Sequence, residues 1–469
     1  MPGLVVAHPY WTFWEHTAPA DFRAGRESLA ARVADLLGDL GSPVRAALLD
    51  TPAAGRELAA RLAGDPPDAV VVLQTMAAPP THALGLLDGL PPTVPVVMWA
   101  LQERGALEPG FDHHGITTRG ATVGAPMLGN VLSRRGRAFD VVLAPLDDPA
   151  GVGRARERVL AAVVAGGFRR GRLGRVGDPL QGYAHVDADD AALSAATGLD
   201  VVRIPTAEVR DRYAGVPAER VDALRGELAS AWDVDRSLDG DALDRSLRVA
   251  AALADLVADH RLDAGAINCH VGEIRFGEEI GVTPCYGLGR LTSAGVPWTC
   301  TGDVLTAVAM LAAKRLGGAA LYHEIEAVDH VTGEVALANS GEHDTAWLTP
   351  GERPRLVPNG WFCGSDARCG ACALFSLRPG PATLLGFTPH PDSPGGFRFV
   401  AAPGTVTNRR FPATGTVNGA FRFAAGAVEH TWPRWVAAGV NHHSAAAPGH
   451  LAAAVTALAK HLGLGAVIV

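Results

Sequence analysis

The sequence predicts an α/β fold with two doubly wound parallel-sheet domains followed by a β-rich C-terminal domain. The chain of 469 residues is too long for a single hydrophobic core. Short β-like runs alternate with amphipathic helical patterns in its first part, whereas β signals dominate from Ala319 onward. We therefore expect an N-terminal α/β domain at residues 1–168, a central α/β domain at 169–318 and a β-rich domain at 319–469.

The first domain contains β-like runs with helical patterns between them, which is typical of a doubly wound domain with a parallel sheet. The candidate strands are Leu4–Ala7, Arg45–Leu49, Ala69–Leu73, Val94–Trp99 and Val141–Ala144. The glycine-rich stretch Gly166–Gly177 is predicted to be a linker that runs into a new strand, after which the second domain follows.

The second domain is predicted from two strands, Val201–Ile204 and Ala264–Asn268, with a long helix, Asp241–His260, between them. A further helix is expected at about residues 303–316. Asp303 occupies its N-cap position, Gly317-Gly318 follows its last apolar residue, and apolar residues recur on one face.

The third domain should begin with a β-hairpin. An apolar run, Ala319–Tyr322, precedes a Thr332-Gly333 turn and a second run, Glu334–Leu337. We expect this hairpin to bring Glu324 and His343 together beside the helix that starts at Asp303, where a carboxylate and an imidazole can form a metal site or an acid/base pair. Later β signals are Leu384–Thr388, Arg398–Ala401, Arg422–Ala424 and Gly465–Val469, with a final helix at Pro448–Leu462.

The charge balance bears on partners and location. The net charge of -8 and the pI of about 6.1 give no electrostatic reason to expect nucleic acid or an anionic membrane as a partner. No uncharged apolar run is long enough to span a bilayer, and the first residues lack the pattern of a signal peptide. We therefore expect a cytoplasmic protein.

Two adjacent histidines, His442 and His443, lie in a predicted loop before the last helix. A neutral imidazole is the commonest metal ligand in proteins. Because adjacent residues of an extended segment face opposite sides, only one of the two is expected to enter a given site.

The order of these motifs resembles that of the L-arabinose and L-fucose isomerases. The matching features are Arg290-Leu291, then Gly302-Asp303 at a helix start, an acidic residue after the next strand, a histidine before an apolar segment, and the late His-His pair. The resemblance covers most of the chain. It implies the same order of domains and a homo-oligomer, trimer or hexamer, in which a neighbour's N-terminal domain closes the pocket around a small carbohydrate-like substrate.

The resemblance also implies a set of metal ligands. Glu324 corresponds to a metal-binding acid that transfers protons, His343 to a ligand histidine, and His442 or His443 to the last ligand, with His442 as the first choice. The expected ion is Mn²⁺, with Mg²⁺, Co²⁺, Zn²⁺ or Fe as alternatives.

One position departs from the family. A glutamate usually precedes the Gly-Asp pair, and this chain has Thr301 there. A threonine hydroxyl replaces neither a negative ligand nor a proton carrier. Asp303 is the candidate that could supply the missing catalytic carboxylate, although capping its helix explains it equally well.

Three functions therefore remain open. The first is a metal enzyme that acts on a sugar or other polyhydroxylated molecule through an enediol or enolate, with altered chemistry such as epimerisation, dehydration or C–C cleavage. The second is ordinary aldose–ketose isomerisation with Asp303 in the place of the missing glutamate. The third is a non-catalytic carbohydrate-binding or assembly protein on the same fold.

A cysteine cluster forms a possible second site. Cys363, Cys369 and Cys372 fall within ten residues, and with Cys300 as a fourth ligand they could bind a soft metal. A catalytic thiol is the alternative if Cys300 or Cys363 lies near Glu324. The remaining cysteines, at positions 269 and 285, are expected to be buried core residues.

Overall fold

The computed structural model describes the chain except for residues 1–2, 19, 42–43, 340 and 362–368. It forms two compact units: Met1–Arg169 with Ala457–Gly463, and Arg170–Thr456 with Leu464–Val469. The fold is mixed α/β, with parallel sheets and a strand-rich C-terminal sheet. The finer division into three domains remains a prediction.

The first unit is built on a five-stranded parallel sheet with the strand order β2-β1-β3-β4-β5, and all five predicted strands are confirmed. Consecutive buried residues of each strand point to opposite faces of the sheet. They pack into two separate apolar clusters, one on each face, as a doubly wound sheet requires. The elements are β1 Leu4–Pro9, α1 Phe22–Leu36, β2 Val44–Leu49, α2 Pro52–Leu62, β3 Ala69–Gln74, α3 Pro80–Leu87, β4 Val96–Gln102, α4 His113–Thr118, α5 Ala121–Arg134, β5 Asp140–Pro145 and α6 Pro149–Phe168.

The new strand predicted within Gly166–Gly177 is confirmed as β6 Arg172–Val176, but the predicted linker is wrong at its start, because residues 166–168 are the end of α6. Up to the helix after Asp303 the elements are β6 Arg172–Val176, α7 Asp190–Thr197, β7 Asp200–Ile204, α8 Thr206–Gly215, α9 Ala218–Ala231, β8 Asp233–Val234, α10 Gly240–His260, β9 Ala264–Ile267, α11 Cys285–Ser293, β10 Trp298–Thr299 and α12 Val304–Gly317. Four of these strands form a parallel sheet in the order β10-β9-β6-β7.

Helix α12 confirms the prediction for residues 303–316. Asp303 is its N-cap, and the carboxylate Oδ1 accepts a hydrogen bond of 2.8 Å from the amide of Thr306. Gly318 ends the helix in the left-handed conformation, with φ of 78°. Most of its residues are buried, so the helix is a core element rather than an amphipathic surface helix.

The remaining elements are β11 Leu321–Asp329, β12 Glu334–Ala338, β13 Arg355–Pro358, β14 Ala371–Leu374, β15 Gly380–Pro389, β16 Phe397–Val406, β17 Asn418–Phe423, α13 Val428–Ala437, β18 His443–Pro448, α14 Ala452–Leu462 and β19 Gly465–Ile468. They confirm the predicted hairpin as β11 and β12. Six antiparallel strands follow the order β15-β18-β11-β12-β17-β16, and the pairing of β15 with β16 closes this sheet on itself. Strand β11 therefore lies between β12 and β18.

Two smaller features complete the description. Strands β14, β13 and β8 form a three-stranded sheet in the second unit. Within the described ranges, no helix combines the length and the apolar character that crossing a bilayer requires.

Candidate metal centre

Glu324 and His443 are direct neighbours on two antiparallel strands. Glu324 of β11 lies opposite His443 of β18, and side chains at such paired positions project from the same face of the sheet. Nε2 of His443 is 3.0 Å from Oε1 of Glu324. His442, immediately before β18, places its own Nε2 3.5 Å from the same oxygen.

These three side chains form a compact set of donors. One ligand atom from each lies within 4.8 Å of the others, and the two imidazole rings overlap with centroids 3.7 Å apart. Two imidazoles and a carboxylate suit a divalent transition metal. Among the described residues, the other such group is Asp112, His113 and His114, which are all exposed in the first unit.

The outer nitrogen of each imidazole has a partner. Nδ1 of His443 is 3.0 Å from Oδ2 of Asp303, and Nδ1 of His442 is 3.0 Å from Nε2 of His185. Such contacts fix the orientation of a ligand histidine and leave its other nitrogen for the metal. Asp303 itself is fully buried, and its two carboxylate oxygens contact the amide of Thr306 and Nδ1 of His443. It therefore acts on the site through His443.

In the metal-free site, burial and neighbouring charges shift the pKa values of all three candidate ligands. Burial opposes a charge on Glu324, but hydrogen bonds from His443 and Glu326 and the nearby imidazoles lower its pKa to about 2. Burial also disfavours the charged form of His443, but Asp303 and Glu324 raise its pKa to about 9. Burial and the charge of His443 lower the pKa of His442 to about 4.

Glu326 is a second carboxyl group beside the site. Glu326 is the extra residue of an irregularity in β11 between Ile325 and Ala327, and its side chain hydrogen-bonds Glu324. Burial and this contact with a carboxylate raise the pKa of Glu326 to about 7. The carboxyl therefore carries or releases a proton near neutral pH.

The candidate ligands open into a cavity of about 150 Å³. Its wall includes Tyr183, His270, Cys300, Thr301, Asn339 and Trp361. Glu324 and His442 also border a second cavity of about 410 Å³, which includes Glu326, Asn441, Trp432 and Trp435. Three residues of the first cavity, His270, Cys300 and Thr301, follow the carboxyl ends of β9 and β10, where ligands usually meet a parallel sheet.

His343 does not join Glu324, which corrects the expected ligand set. Its ring is 2% exposed and packs against Trp232 and Tyr286, with ring centroids 5.2 and 6.0 Å away. The chain leaves β12 at Ala338, directly opposite Glu324, and the next residues carry it to α11. His443 takes the position expected for His343.

The packing of His343 predicts a stability effect at Gly289. A Cβ atom at Gly289 would lie 2.0 Å from Nδ1 of His343, so Gly289→Ala should lower the free energy of unfolding by about 2 kcal/mol. Gly226, inside α9, has open space around the same position, and Gly226→Ala should not destabilise the protein. Urea denaturation measures both, and equal stability of the two variants would contradict the described contact.

Both histidines of the pair reach the site, so the expectation that only one would do so is wrong. β18 begins at His443, and His442 lies in the preceding turn, where strand alternation does not apply. The contact of His185 with His442 could not be predicted from the sequence, because the two residues are more than two hundred positions apart in the chain. Glu326 could not have been found from strand alternation, because β11 is irregular at this residue.

Thr301 occupies a strained turn before α12. Its φ of 56° is unusual for a β-branched residue, and its hydroxyl donates a hydrogen bond of 2.7 Å to the carbonyl of Cys300. The hydroxyl is thus engaged with the backbone. It supplies no carboxylate to replace the one that the isomerase resemblance implies.

Among the described residues, Cys300 and Cys372 are not part of a candidate metal-binding group. Cys363 lies outside the described residues, and Cys369 is disulfide-bonded rather than a free thiol. Cys372, on β14, is buried in an apolar cluster with Cys285 and donates a hydrogen bond to the carbonyl of Gly415. In the part of the chain that is described, neither group of three candidate ligands contains a cysteine.

A comparison with models of known protein families finds no match, and a comparison with proteins of curated function finds none either.

Proposed function

We propose that this protein is a divalent-metal-dependent enzyme that acts on a sugar or another polyhydroxylated small molecule through an enediol or enolate. The observation that carries the proposal is the convergence of Glu324, His442 and His443 at a cavity. Mn²⁺ is the ion that we favour, because the resemblance to the sugar isomerases implies it. Mg²⁺, Co²⁺, Zn²⁺ and Fe are the alternatives.

The residues fit a metal ion by their chemistry. Both imidazoles have their outer nitrogen engaged, so each Nε2 is directed toward Glu324. A divalent cation bound there would polarise a carbonyl oxygen and lower the pKa of a bound hydroxyl group. Its binding requires His443 to lose the proton that Asp303 and Glu324 favour.

Proton transfer is assigned to Glu326 rather than to Asp303. An enediol reaction needs a group that takes a proton from one carbon and returns it to the next. The carboxyl of Glu326 adjoins Glu324 and, with a pKa of about 7, can take up or release a proton near neutral pH, whereas Asp303 is buried and hydrogen-bonded through both oxygens. Asp303 is a positioning residue that orients His443.

One observation supports a second function, that of a non-catalytic protein. Thr301 stands where the family resemblance implies a catalytic glutamate, and its hydroxyl is held by the backbone. A non-catalytic carbohydrate-binding or assembly protein on the same fold would tolerate that change. The two functions differ in whether a bound sugar exchanges a carbon-bound proton.

The test combines metal binding and proton exchange. The full chain, stripped with chelator and titrated with Mn²⁺, should bind one equivalent at this site. Incubation of the Mn²⁺ form with L-fucose, L-arabinose and related aldoses in D₂O should place deuterium at C2, as detected by NMR. Metal binding without deuterium exchange for any aldose of the panel would favour the non-catalytic carbohydrate-binding protein. If none of the divalent ions tried binds, both the metal enzyme with altered chemistry and ordinary metal-dependent isomerisation are excluded.

A further inference from the structure

The larger of the two cavities at the candidate metal centre combines two metal ligands with an apolar wall. Its volume of about 410 Å³ falls within the range of about 300 to 1,000 Å³ that is typical of small-molecule sites, whereas the smaller cavity of about 150 Å³ falls below that range. Glu324 and His442 border both cavities. A molecule held at these ligands therefore has room to extend into the larger cavity. The apolar residues of that cavity are Ile325, Trp432, Trp435, Val436 and Val440.

The wall that helix α13 contributes to the larger cavity is entirely apolar. Trp432, Trp435 and Val436 are three and four residues apart on this helix, so they lie on one side of it. The polar residues of the cavity all come from β11 and from the turn before β18. A hydroxyl group against the α13 wall would leave water without gaining a hydrogen-bond partner, which costs free energy. The wall therefore favours an apolar group over a hydroxylated one.

The same helix is anchored at one residue and exposed at two others. Trp435 is 3% exposed and belongs to the hydrophobic core of the closed sheet, whereas Trp432 and Val436 are 41% and 48% exposed. Two large apolar side chains next to each other at a cavity are a feature of binding sites. An indole ring also packs favourably against other aromatic rings, either offset-stacked or edge to face. Trp432 is therefore suited to hold an aromatic group.

The turn between α13 and His442 fixes this wall relative to the metal ligands. The amide of Gly439 donates a hydrogen bond of 2.9 Å to the carbonyl of Val436, and Gly439 has the left-handed φ of 85° that ends the helix. The guanidinium of Arg398 donates hydrogen bonds of 3.1 and 2.7 Å to the carbonyl of Ala438. The cavity is thus already formed without a ligand, so binding requires little further ordering of the chain.

We propose that the larger cavity binds an aromatic group of the substrate, which is then a polyhydroxylated molecule with an aromatic substituent remote from the metal. This assignment of the substrate rests on the proposed function, whereas the aromatic subsite itself does not require a metal ion. The reacting oxygens lie beside Glu324 and His442, and the aromatic ring packs against Trp432. Binding of the remote ring orients the reacting end. Trp432 is therefore a specificity-determining residue, and simple aldoses occupy only the metal end of the site.

Three hydroxamates test the preference for an aromatic group. A hydroxamate binds a divalent ion through two oxygens, and 3-phenylpropionohydroxamate differs from acetohydroxamate by one benzyl group. Isothermal titration of the Mn²⁺-loaded full chain should show about tenfold tighter binding of the phenyl compound, because its ring leaves water for an apolar wall. D-gluconohydroxamate carries a chain of hydroxyl groups instead and should gain much less. Equal or tighter binding of D-gluconohydroxamate than of the phenyl compound would overturn the proposal in favour of a subsite for sugar hydroxyl groups.

Variants assign the preference to one of the two cavities. In Trp432→Ala the ratio of the phenylpropionohydroxamate and acetohydroxamate affinities should fall to about twofold, and Trp432→Phe should retain most of it, since a phenyl ring still packs against the ligand. The matched control is Trp361→Ala. Trp361 is also 41% exposed but lines the smaller cavity, so its loss should affect both compounds alike and preserve the ratio. An unchanged ratio in Trp432→Ala, with or without a change of molar mass in light scattering, would overturn the proposal; a changed mass would place Trp432 in a contact between copies of the chain.

A measurement without metal separates this inference from the proposed function. In chelator-containing buffer, saturation-transfer NMR should detect binding of 2-phenylethanol to the full chain, and the signal should be lost in Trp432→Ala but not in Trp361→Ala. If the chain binds 2-phenylethanol in this way but does not bind Mn²⁺, the proposed function fails and the aromatic subsite stands. If it binds Mn²⁺ but binds 2-phenylethanol no better than Trp432→Ala does, the aromatic subsite is refuted and the metal centre stands.

Discussion

Replacing Glu324 by glutamine is expected to lower the affinity for Mn²⁺ by at least about 100-fold, because loss of an outer partner alone typically costs 10- to 100-fold. Glutamine keeps the size of the side chain and removes the negative charge that faces both imidazoles. An amide cannot neutralise the cation, and its oxygen is a weaker ligand than a carboxylate. Isothermal titration with Mn²⁺ measures the change.

The matched control is Glu429→Gln on the exposed surface of α13. It removes the same charge from the chain and should leave the affinity for Mn²⁺ unchanged, since its side chain pairs with His330 and solvent screens an exposed charge. Both variants should retain the circular dichroism spectrum of the unmodified protein. Undiminished binding by a folded Glu324→Gln protein would show that the metal ligands have been assigned wrongly.

Replacing Asp303 by alanine should cost about 3 to 5 kcal/mol of the free energy of unfolding of the metal-free protein. The substitution leaves His443, which is 4% exposed, without the carboxylate that pairs with its Nδ1. It also removes the N-cap of α12, which contributes about 1 kcal/mol. Urea denaturation followed by circular dichroism gives the difference.

Two variants separate these contributions. Asp239 caps α10 through Ala242 and lies on the exposed surface, so Asp239→Ala should lose only the capping contribution of about 1 kcal/mol. Asp303→Asn preserves a capping oxygen while removing the charge opposite His443. A loss in Asp303→Ala no larger than that in Asp239→Ala would argue against the buried ion pair.

The pH dependence provides an independent readout of the same pair. The pKa of His443 is raised from 6.5 to about 9 in the folded protein, mainly by Asp303 and Glu324 acting against burial and the neighbouring His442. Its contribution to stability is therefore complete below pH 6.5 and is lost as the pH rises through about 9. That loss should amount to about 3 kcal/mol. Asp303→Asn should show a shallower decline over the same range.

Elements with a strong local pattern could be predicted from the sequence. The five strands of the first unit and helix α12 follow from apolar runs, an N-cap aspartate and a terminal glycine, all of which act within a few residues. The linker at Gly166–Gly177 was predicted wrongly because glycines inside a packed helix resemble those of a loop. Gly166 lies against the backbone of Asp68, where a Cβ atom would not fit.

The candidate site was predicted less completely than the fold. Glu324 and His442 were identified, and His443 was weighed against His442, from residue type and order along the chain. The choice of His343 failed because two residues near one hairpin need not point into one space. The side chain of His343 packs instead against Trp232 and Tyr286, which lie in other segments of the chain.

The amino-acid sequence by itself determined the α/β class, most strands and helices, and the presence of carboxylate and imidazole side chains suited to a metal ion. The tertiary structure decided which of them meet: the pairing of β11 with β18 sets Glu324 beside His443, and the turn before α12 sets Asp303 behind it. Local preferences extend over a few residues, whereas the register of two strands more than a hundred residues apart depends on the packing of the whole closed sheet.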